Sequence, residues 1–185
     1  MNWMDYLVAA PEIAMLGLIC FVLIADLFID NENRVRTFWL SMLSLIIMLV
    51  VLNWTAPTGS NVIFSGSYIS DPLSQILKVT AVIFVAITFF YSRDYLRANE
   101  IHRGEFYLLG LIGLLGMMIM MSANSLLTMY LGLETLALSL YALVAIDRNN
   151  VNSSEAAMKY FILGAIASGC LLYGISWVYG VTGSL

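Results

Sequence analysis

The chain has 185 residues, of which 61% are hydrophobic and 11% are charged, and its formal net charge is −4. Ordinary soluble domains carry about 25% charged residues, so these few charges cannot cover a water-facing surface. The composition excludes a disordered tail, a secreted disulfide scaffold and a nucleic-acid-binding protein, which would need a basic surface. It predicts an integral membrane protein with a single membrane domain over residues 1–185.

Six continuous apolar segments approach or exceed the roughly 20 residues that a helix needs to cross a bilayer. In chain order they are 13–29, 37–54, 72–91, 106–121, 125–146 and 156–179. The residues before the first segment lack the positive charges of a cleaved signal peptide, so we expect that segment to be retained. The runs do not alternate as barrel strands do. The predicted fold is therefore all-α, a polytopic transmembrane helix bundle.

The polar residues between the spans predict helix starts and orientation. Asp71 before Pro72, Asn124, and the run Asn152–Glu155 are candidate caps for the third, fifth and sixth spans. Lys and Arg in short loops mark the inner side of a membrane. The loop cations all follow spans one, three or five; they are Arg34, Arg36, Arg93, Arg97, Arg103 and Arg148. Both the N-terminus and the end of span six are thus predicted outside.

Small residues recur at helix-contact spacing in spans four to six, which predicts close helix packing in lipid. They are Gly110, Gly113, Gly116, Thr128, Gly132, Thr135, Ser139, Gly164, Ser168 and Gly169. The two cysteines, Cys20 and Cys170, and the single histidine, His102, do not form a ligand pattern for a metal or cluster. We therefore expect no cofactor within this chain.

Glu134 is the charged residue that the membrane tolerates least. It lies near the middle of span five, and an ionised side chain at that depth costs at least ~2.5 kcal/mol. It must therefore face the bundle or water. The position favours a proton or ion relay, with a protonated carboxyl satisfied by a neighbouring hydroxyl as the alternative.

Three other charges also fall within or beside the predicted spans. Lys159 follows Glu155 by four residues, a favourable helical pair, and its depth differs from that of Glu134 by about 12 Å. A direct contact between Lys159 and Glu134 is left open. Lys78 is expected to have an interfacial structural role with Asp71 nearby. Asp26 is expected to be an interfacial carboxylate close to Arg34 and Arg36.

Two stretches resemble the antiporter-like membrane subunits of respiratory complexes. Residues 130–141, YLGLETLALSLY, resemble the fifth span of these subunits, and residues 155–165, EAAMKYFILGA, resemble the next helix. Pro11-Glu12-Ile13 and residues 105–109, EFYLL, are most similar to the subunit N family of the proton-pumping NADH:quinone oxidoreductase, respiratory complex I. The resemblance runs over nearly all of the chain.

The resemblance implies a non-redox subunit that takes part in proton translocation in the bacterial inner membrane, with its N-terminus periplasmic. Glu134 and Lys159 match the family's fifth-span glutamate and sixth-span lysine, which modulate protonation of further lysines. Those lysines follow the sixth span in the family, so we expect this chain to be a fragment.

The same resemblance implies that other membrane subunits of the complex are the partners. NAD, flavin, iron–sulfur clusters and quinone belong to the whole complex. Two alternatives remain: a subunit of a multisubunit cation/proton antiporter or membrane-bound hydrogenase, and a purely structural membrane subunit whose buried charges only fix helix packing.

Overall fold

The computed structural model describes residues 3–28, 35–57, 59–98 and 104–184. Arg34, His102 and Arg103, named above, lie outside the described residues. Within the described residues the elements are seven α-helices and one short hairpin whose strands are joined by a 3₁₀ turn at Phe64–Gly66. In chain order they are α1 Trp3–Val8, α2 Ala10–Leu27, α3 Val35–Trp54, β1 Asn61–Ile63, β2 Tyr68–Ser70, α4 Pro72–Ala98, α5 Glu105–Met121, α6 Leu126–Val144 and α7 Val151–Thr182.

The predicted transmembrane helix bundle is confirmed, and the six predicted spans correspond to α2 to α7. Five of these helices are long and apolar enough to cross a membrane, and α5 is a shorter apolar helix of 17 residues. The largest departure is α7, which begins before the predicted span and has 32 residues. At 1.5 Å per residue it is about 48 Å long, more than the roughly 30 Å of a hydrocarbon core.

Helices α2 to α5 form a common core. The fully buried hydrophobic side chains come from all four helices, namely Met15, Val22, Leu45, Met48, Leu52, Val82, Leu111, Leu114 and Met118. The flexible methionines fill irregular gaps between the helices. Helix α6 packs on α5, and α7 packs chiefly on α6. The buried residues of α7 are Ala157, Ser168 and Ile175.

Glycines bring α5 and α6 into backbone contact. A Cβ atom at Gly116 would lie 2.7 Å from the carbonyl oxygen of Gly132, and one at Gly132 would lie 2.8 Å from that of Gly116. Such spacing is closer than real Cβ contacts allow, so only glycine fits at both positions. The predicted small-residue packing is thus confirmed here. By contrast, Gly169 of α7 faces open space.

The loop after the second span contains a hairpin that the sequence reading did not predict. Strand β1 pairs antiparallel with β2, from Asn61 opposite Ser70 to Ile63 opposite Tyr68. The turn places Phe64, Ser65 and Gly66 at positive φ, the left-handed region that disfavours a side chain.

The α5–α6 connection extends this hairpin on its other edge. The backbone N–H of Ile69 donates to Ser122 O at 2.9 Å, and that of Asn124 donates to Ser67 O at 3.0 Å. The loops after spans two and four therefore lie on one side of the bundle, as the predicted topology requires. We call this end of the bundle the hairpin side.

One of the three predicted helix caps is confirmed. Asp71 caps α4 as predicted, because Ser74 N–H donates to its Oδ1 at 2.9 Å and Pro72 is the first helical residue. The Asn124 prediction was wrong, since Ser125 is the cap of α6. Asn124 instead donates through Nδ2 to the Gly66 carbonyl at 2.7 Å.

The predicted capping box at Asn152–Glu155 was also wrong. Helix α7 begins at Val151, and the side chain of Asn150 accepts a hydrogen bond from the backbone N–H of Asn152 at 3.0 Å. The helix therefore starts one turn earlier than the apolar segment does, since an asparagine just before Val151 already satisfies a free N–H.

Candidate functional site

Glu134 lies in the α6–α7 interface, at the ninth of the 19 residues of α6. Ser168 of α7 donates a hydrogen bond to its Oε2 atom, and Ser168 Oγ lies 3.1 Å from the hydroxyl of Tyr130. A serine hydroxyl has one proton. When Ser168 donates to Glu134, Tyr130 must therefore donate to Ser168. The three groups form a hydroxyl chain that ends at the carboxylate.

The spacing on both helices explains this arrangement. Tyr130 and Glu134 are four residues apart on α6 and share one helix face. Two turns further, Tyr141 lies on the same interface, and a Cβ atom at Gly164 of α7 would collide with its hydroxyl. The predicted stripe of Gly164 and Ser168 therefore lies at a helix contact, where it leaves room for a ring and supplies a hydrogen-bond donor.

Lys159 does not contact Glu134. Its Nζ atom lies 2.6 Å from Glu155 Oε1, and the two side chains are 70% and 60% exposed. Ser168, which bonds Glu134, is nine residues further along α7, about 13 Å at helical rise. This separation agrees with the depth difference expected from the sequence. The structure thus places the two predicted site residues on the same helix pair but apart.

Lys78 is buried, which corrects the expected interfacial role with Asp71. The side chain is 1% exposed, and its Nζ atom lies 2.6 Å from Glu12 Oε1. Tyr68 donates to Glu12 Oε2 at 2.7 Å, and Lys78 donates to the Tyr68 hydroxyl at 3.2 Å. Glu12, Tyr68 and Lys78 form what we call the Glu12–Lys78 cluster.

The sequence reading missed this cluster because its members come from three distant segments. Glu12 stands in the first turn of α2, where an interfacial carboxylate is ordinary. Tyr68 belongs to the unpredicted hairpin. Burial and the negative charge of Glu12 raise the pKa of the Tyr68 phenol, so this hydroxyl keeps its proton. The sequence held one signal for this cluster, namely an acidic residue at the start of one apolar span and a lysine well inside another.

Asp26 is the next-to-last residue of α2 and contacts the following helices. Thr37, in the first turn of α3, donates to its Oδ1 at 2.6 Å. The same carboxylate packs against Gly104, the residue before α5, where a Cβ atom would collide with it. Arg36, the expected neighbour that the structure describes, is exposed.

At the end of the bundle opposite the hairpin, an exposed ion pair links α5 to the α6–α7 turn. Arg148 donates to Glu105 Oε2 at 2.9 Å, and the side chains are 66% and 45% exposed. Among the described residues, no group of three or more His, Cys, Asp or Glu side chains is arranged to hold a metal ion.

The residues around Glu134 match a known family. Residues 123–185 match the family model described as NADH:quinone oxidoreductase/Mrp antiporter, transmembrane region. Over 98% of its length the chain is 50% identical to NADH-quinone oxidoreductase subunit N from Thioalkalivibrio sulfidiphilus. The chain resembles the N-terminal part of subunit N. A subunit N from Alkalilimnicola ehrlichii is also 50% identical over 98% of the chain.

The chain spans less than two fifths of the length of the subunit N relatives it matches, 38% and 37% for the two named. A chain of respiratory complex I from Thermus thermophilus with bound aureothin superposes with a TM-score of 0.76 at 31% identity, covering 95% of this chain and 38% of that one. The resemblance to antiporter-like subunits is confirmed.

A second solved structure shares the fold. A chain of the membrane-bound sulfane sulfur reductase, an archaeal respiratory membrane complex, superposes with a TM-score of 0.64 at 19% identity. It covers 97% of this chain and 37% of that chain. At this identity the likeness concerns the fold of the helix bundle alone.

Proposed function

We propose that this chain is part of an antiporter-like membrane subunit that takes part in proton translocation coupled to quinone reduction. The similarity to subunit N over 98% of the chain supports this assignment. In this proposal the subunit acts in a bacterial inner membrane and assembles with the other membrane subunits of the complex. Redox chemistry with NAD, flavin, iron–sulfur clusters and quinone takes place elsewhere in the complex.

The observation that carries the proposal is the position of Glu134 at the middle of α6, bonded to a hydroxyl chain. A carboxyl at this depth is costly unless it exchanges protons or is fully satisfied. When Ser168 passes its proton to the Glu134 carboxylate, Tyr130 passes its proton to Ser168 and takes one from a hydronium ion, which becomes water. Protons and charges balance at each transfer.

Lys159 is proposed to modulate Glu134 through space. At about 13 Å and an effective dielectric constant of 20, two unit charges interact by about 1 kcal/mol. The ion pair with Glu155 offsets much of this field. Opening that pair would expose Glu134 to the full charge of Lys159 and favour the ionised carboxylate.

Glu134→Gln tests the proposal in the assembled complex, reconstituted in vesicles. Glutamine keeps the volume and accepts the Ser168 hydrogen bond, but it removes the exchangeable acid. Proton pumping should fall while assembly is retained, and Glu134→Asp should keep part of the activity. Normal pumping in an assembled Glu134→Gln complex would remove the proposal and leave a packing residue.

A second candidate function belongs to the same superfamily. The matching family model covers both NADH:quinone oxidoreductase and Mrp antiporter subunits. A multisubunit cation/proton antiporter or a membrane-bound hydrogenase would use the same helices and the same carboxyl. Purification in mild detergent separates the candidates, because the first requires copurifying subunits that oxidise NADH and the others do not.

A further inference from the structure

The Glu12–Lys78 cluster is a second charged site, separate from Glu134. Lys78 is the seventh residue of α4, about 9 Å along the helix from its first residue on the hairpin side. Its side chain is 1% exposed and that of Glu12 is 11% exposed. Ionisable side chains enclosed among membrane helices are costly, and they mark ion pathways and proton relays.

The three side chains contact one another in a closed ring. Lys78 Nζ lies 2.6 Å from Glu12 Oε1 and 3.2 Å from the Tyr68 hydroxyl, which in turn lies 2.7 Å from Glu12 Oε2. The ammonium group also lies 5.3 Å from the centroid of the Tyr68 ring. Each member can therefore pass a proton to the next without a bridging water.

We propose that Glu12, Tyr68 and Lys78 form a second proton-exchange site, which opens toward the hairpin side. Lys78 gives a proton to the Tyr68 oxygen as the phenol gives its own proton to Glu12. The cluster then holds a neutral amine, an unchanged phenol and a neutral carboxylic acid. Glu12 releases its proton to a water molecule on the hairpin side, and the neutral Lys78 amine regains a proton from a hydronium ion within the bundle, which becomes water.

The difference in exposure sets this direction. Glu12 is the more exposed partner and lies in the first turn of α2, whereas Lys78 is enclosed. Asp71, the carboxylate just before α4, bonds Ser74 at the start of that helix. In the part of the chain that the structure describes, Glu12 and Lys78 are therefore the two oppositely charged members of this cluster.

The competing explanation is that Glu12 and Lys78 form a purely structural ion pair. Substituting both residues with uncharged side chains distinguishes this explanation from proton exchange. Replacing both partners of a buried ion pair by uncharged groups of similar size is often neutral or stabilising, whereas removing one partner leaves an uncompensated charge. In Glu12→Gln/Lys78→Met the glutamine still accepts from Tyr68 and the methionine fills the space of the lysine stem. This double variant should assemble.

The test compares two double variants in the full complex, reconstituted in vesicles. Glu105→Gln/Arg148→Met neutralises an ion pair of the same charge types that is exposed, and it should pump normally. Glu12→Gln/Lys78→Met should assemble but pump about 100-fold more slowly, the contribution of a positioned acid–base group. Pumping equal to the control would overturn the proposal.

If the Glu12→Gln/Lys78→Met variant fails to assemble, Tyr68→Phe tests the proposal instead. It leaves both charges and the ring in place and removes only the proton-carrying oxygen. Pumping should fall about 100-fold, and an unchanged rate would refute the proposed transfer.

The inference rests on the proposed function for its readout, so Glu134→Gln is measured in parallel. Loss of pumping in Glu134→Gln with normal pumping in both cluster variants would reject this inference alone. Normal pumping in Glu134→Gln would instead reject the proposed function.

Discussion

Ser168 of α7 donates a hydrogen bond to the carboxylate of Glu134, at the middle of α6. The bond joins the two helices that the family model covers, and it is made by one of the three buried residues of α7. Most of the surface of α7 is otherwise exposed. The site therefore depends on a single small polar side chain in an interface where little else is buried.

Ser168→Ala should reduce proton pumping while the complex still assembles. The change removes a hydrogen bond to a charged group, worth about 1.5–3 kcal/mol, and breaks the chain from Tyr130. A tenfold or greater loss of rate corresponds to this range. Vesicle acidification at matched amounts of complex measures it.

Two further variants make this result specific. Ser176→Ala is the matched control, because the Ser176 hydroxyl bonds the Tyr173 carbonyl of its own helix at 2.6 Å. Ser168→Thr restores the hydroxyl and should recover most of the rate. If Ser168→Ala and Ser176→Ala pump equally well, the hydroxyl chain has no part in proton transfer.

Gly132→Ala should destabilise the α5–α6 pair. The added methyl would lie 2.8 Å from the Gly116 carbonyl, so the helices must separate, at a cost of about 1–3 kcal/mol. Gly169→Ala, where the methyl meets open space, should be neutral or stabilise the helix by up to about 1 kcal/mol. Thermal unfolding in mild detergent compares them. Equal melting temperatures would show that α5 and α6 do not pack this closely.

The spans could be predicted from sequence because the length of an apolar run is a local property. Glu134 could be singled out for the same reason, since its depth follows from counting residues along one helix. Its partner Ser168 could not be assigned, because the sequence does not fix the rotation of α7 against α6. The small-residue stripe indicated only which face makes contact.

The Glu12–Lys78 cluster could not be predicted because its contacts are long-range. Tyr68 and Glu12 are 56 residues apart, and they meet only once the hairpin folds back over α2. The same holds for Asn124, whose side chain bonds Gly66 across the hairpin and so leaves the cap of α6 to Ser125. Tertiary partners override the local capping preference at these positions.

Asp71 should make the stability of the bundle depend on pH. Hydrogen bonds from Ser74 hold the pKa of the Asp71 carboxyl below its usual value of 3.8. Because the folded value is the lower one, the stabilisation is present above pH 3.8 and is lost as the pH falls through the folded value. Asp71→Asn keeps the cap without the charge and should remove this part of the pH dependence.

Asp71→Ala should cost about 1 kcal/mol at neutral pH, the usual contribution of a helix cap. Melting temperatures of the wild type and both variants at pH 7 and pH 3 test this. A wild-type advantage over Asp71→Asn that does not shrink at pH 3 would show that the carboxylate charge is not responsible.

The hairpin side should be periplasmic. The arginines in question are Arg93 and Arg97 near the end of α4 and Arg148 after α6. All three lie toward the opposite end of the bundle, as the positive-inside rule requires. Ser65→Cys in the hairpin should react with an impermeant thiol reagent added outside spheroplasts, and Asn149→Cys should react only after lysis. Both are made with Cys20 and Cys170 replaced by alanine. The reverse labelling pattern would invert the orientation.

Glu134→Gln and Lys159→Ala should be non-additive when combined. Sites more than about 7–10 Å apart without shared partners usually add within 0.3–0.5 kcal/mol. The through-space interaction at about 13 Å would be near 1 kcal/mol for an unpaired Lys159, or about fivefold in pumping rate, and the ion pair with Glu155 lowers it. The double variant should therefore pump faster than the product of the two single effects. Lys159→Arg, which keeps the charge, should show no such coupling.

Glu155→Gln gives the sign of this effect. This change removes the partner of Lys159, so the Lys159 charge is uncompensated and its influence on Glu134 should grow. The coupling between Lys159 and Glu134 in the Glu155→Gln background should therefore exceed the coupling in the wild type. Simple additivity in both backgrounds would mean that Lys159 is only a surface ion-pair partner of Glu155. Glu134 would then exchange its proton through the hydroxyl chain without a cation to modulate it.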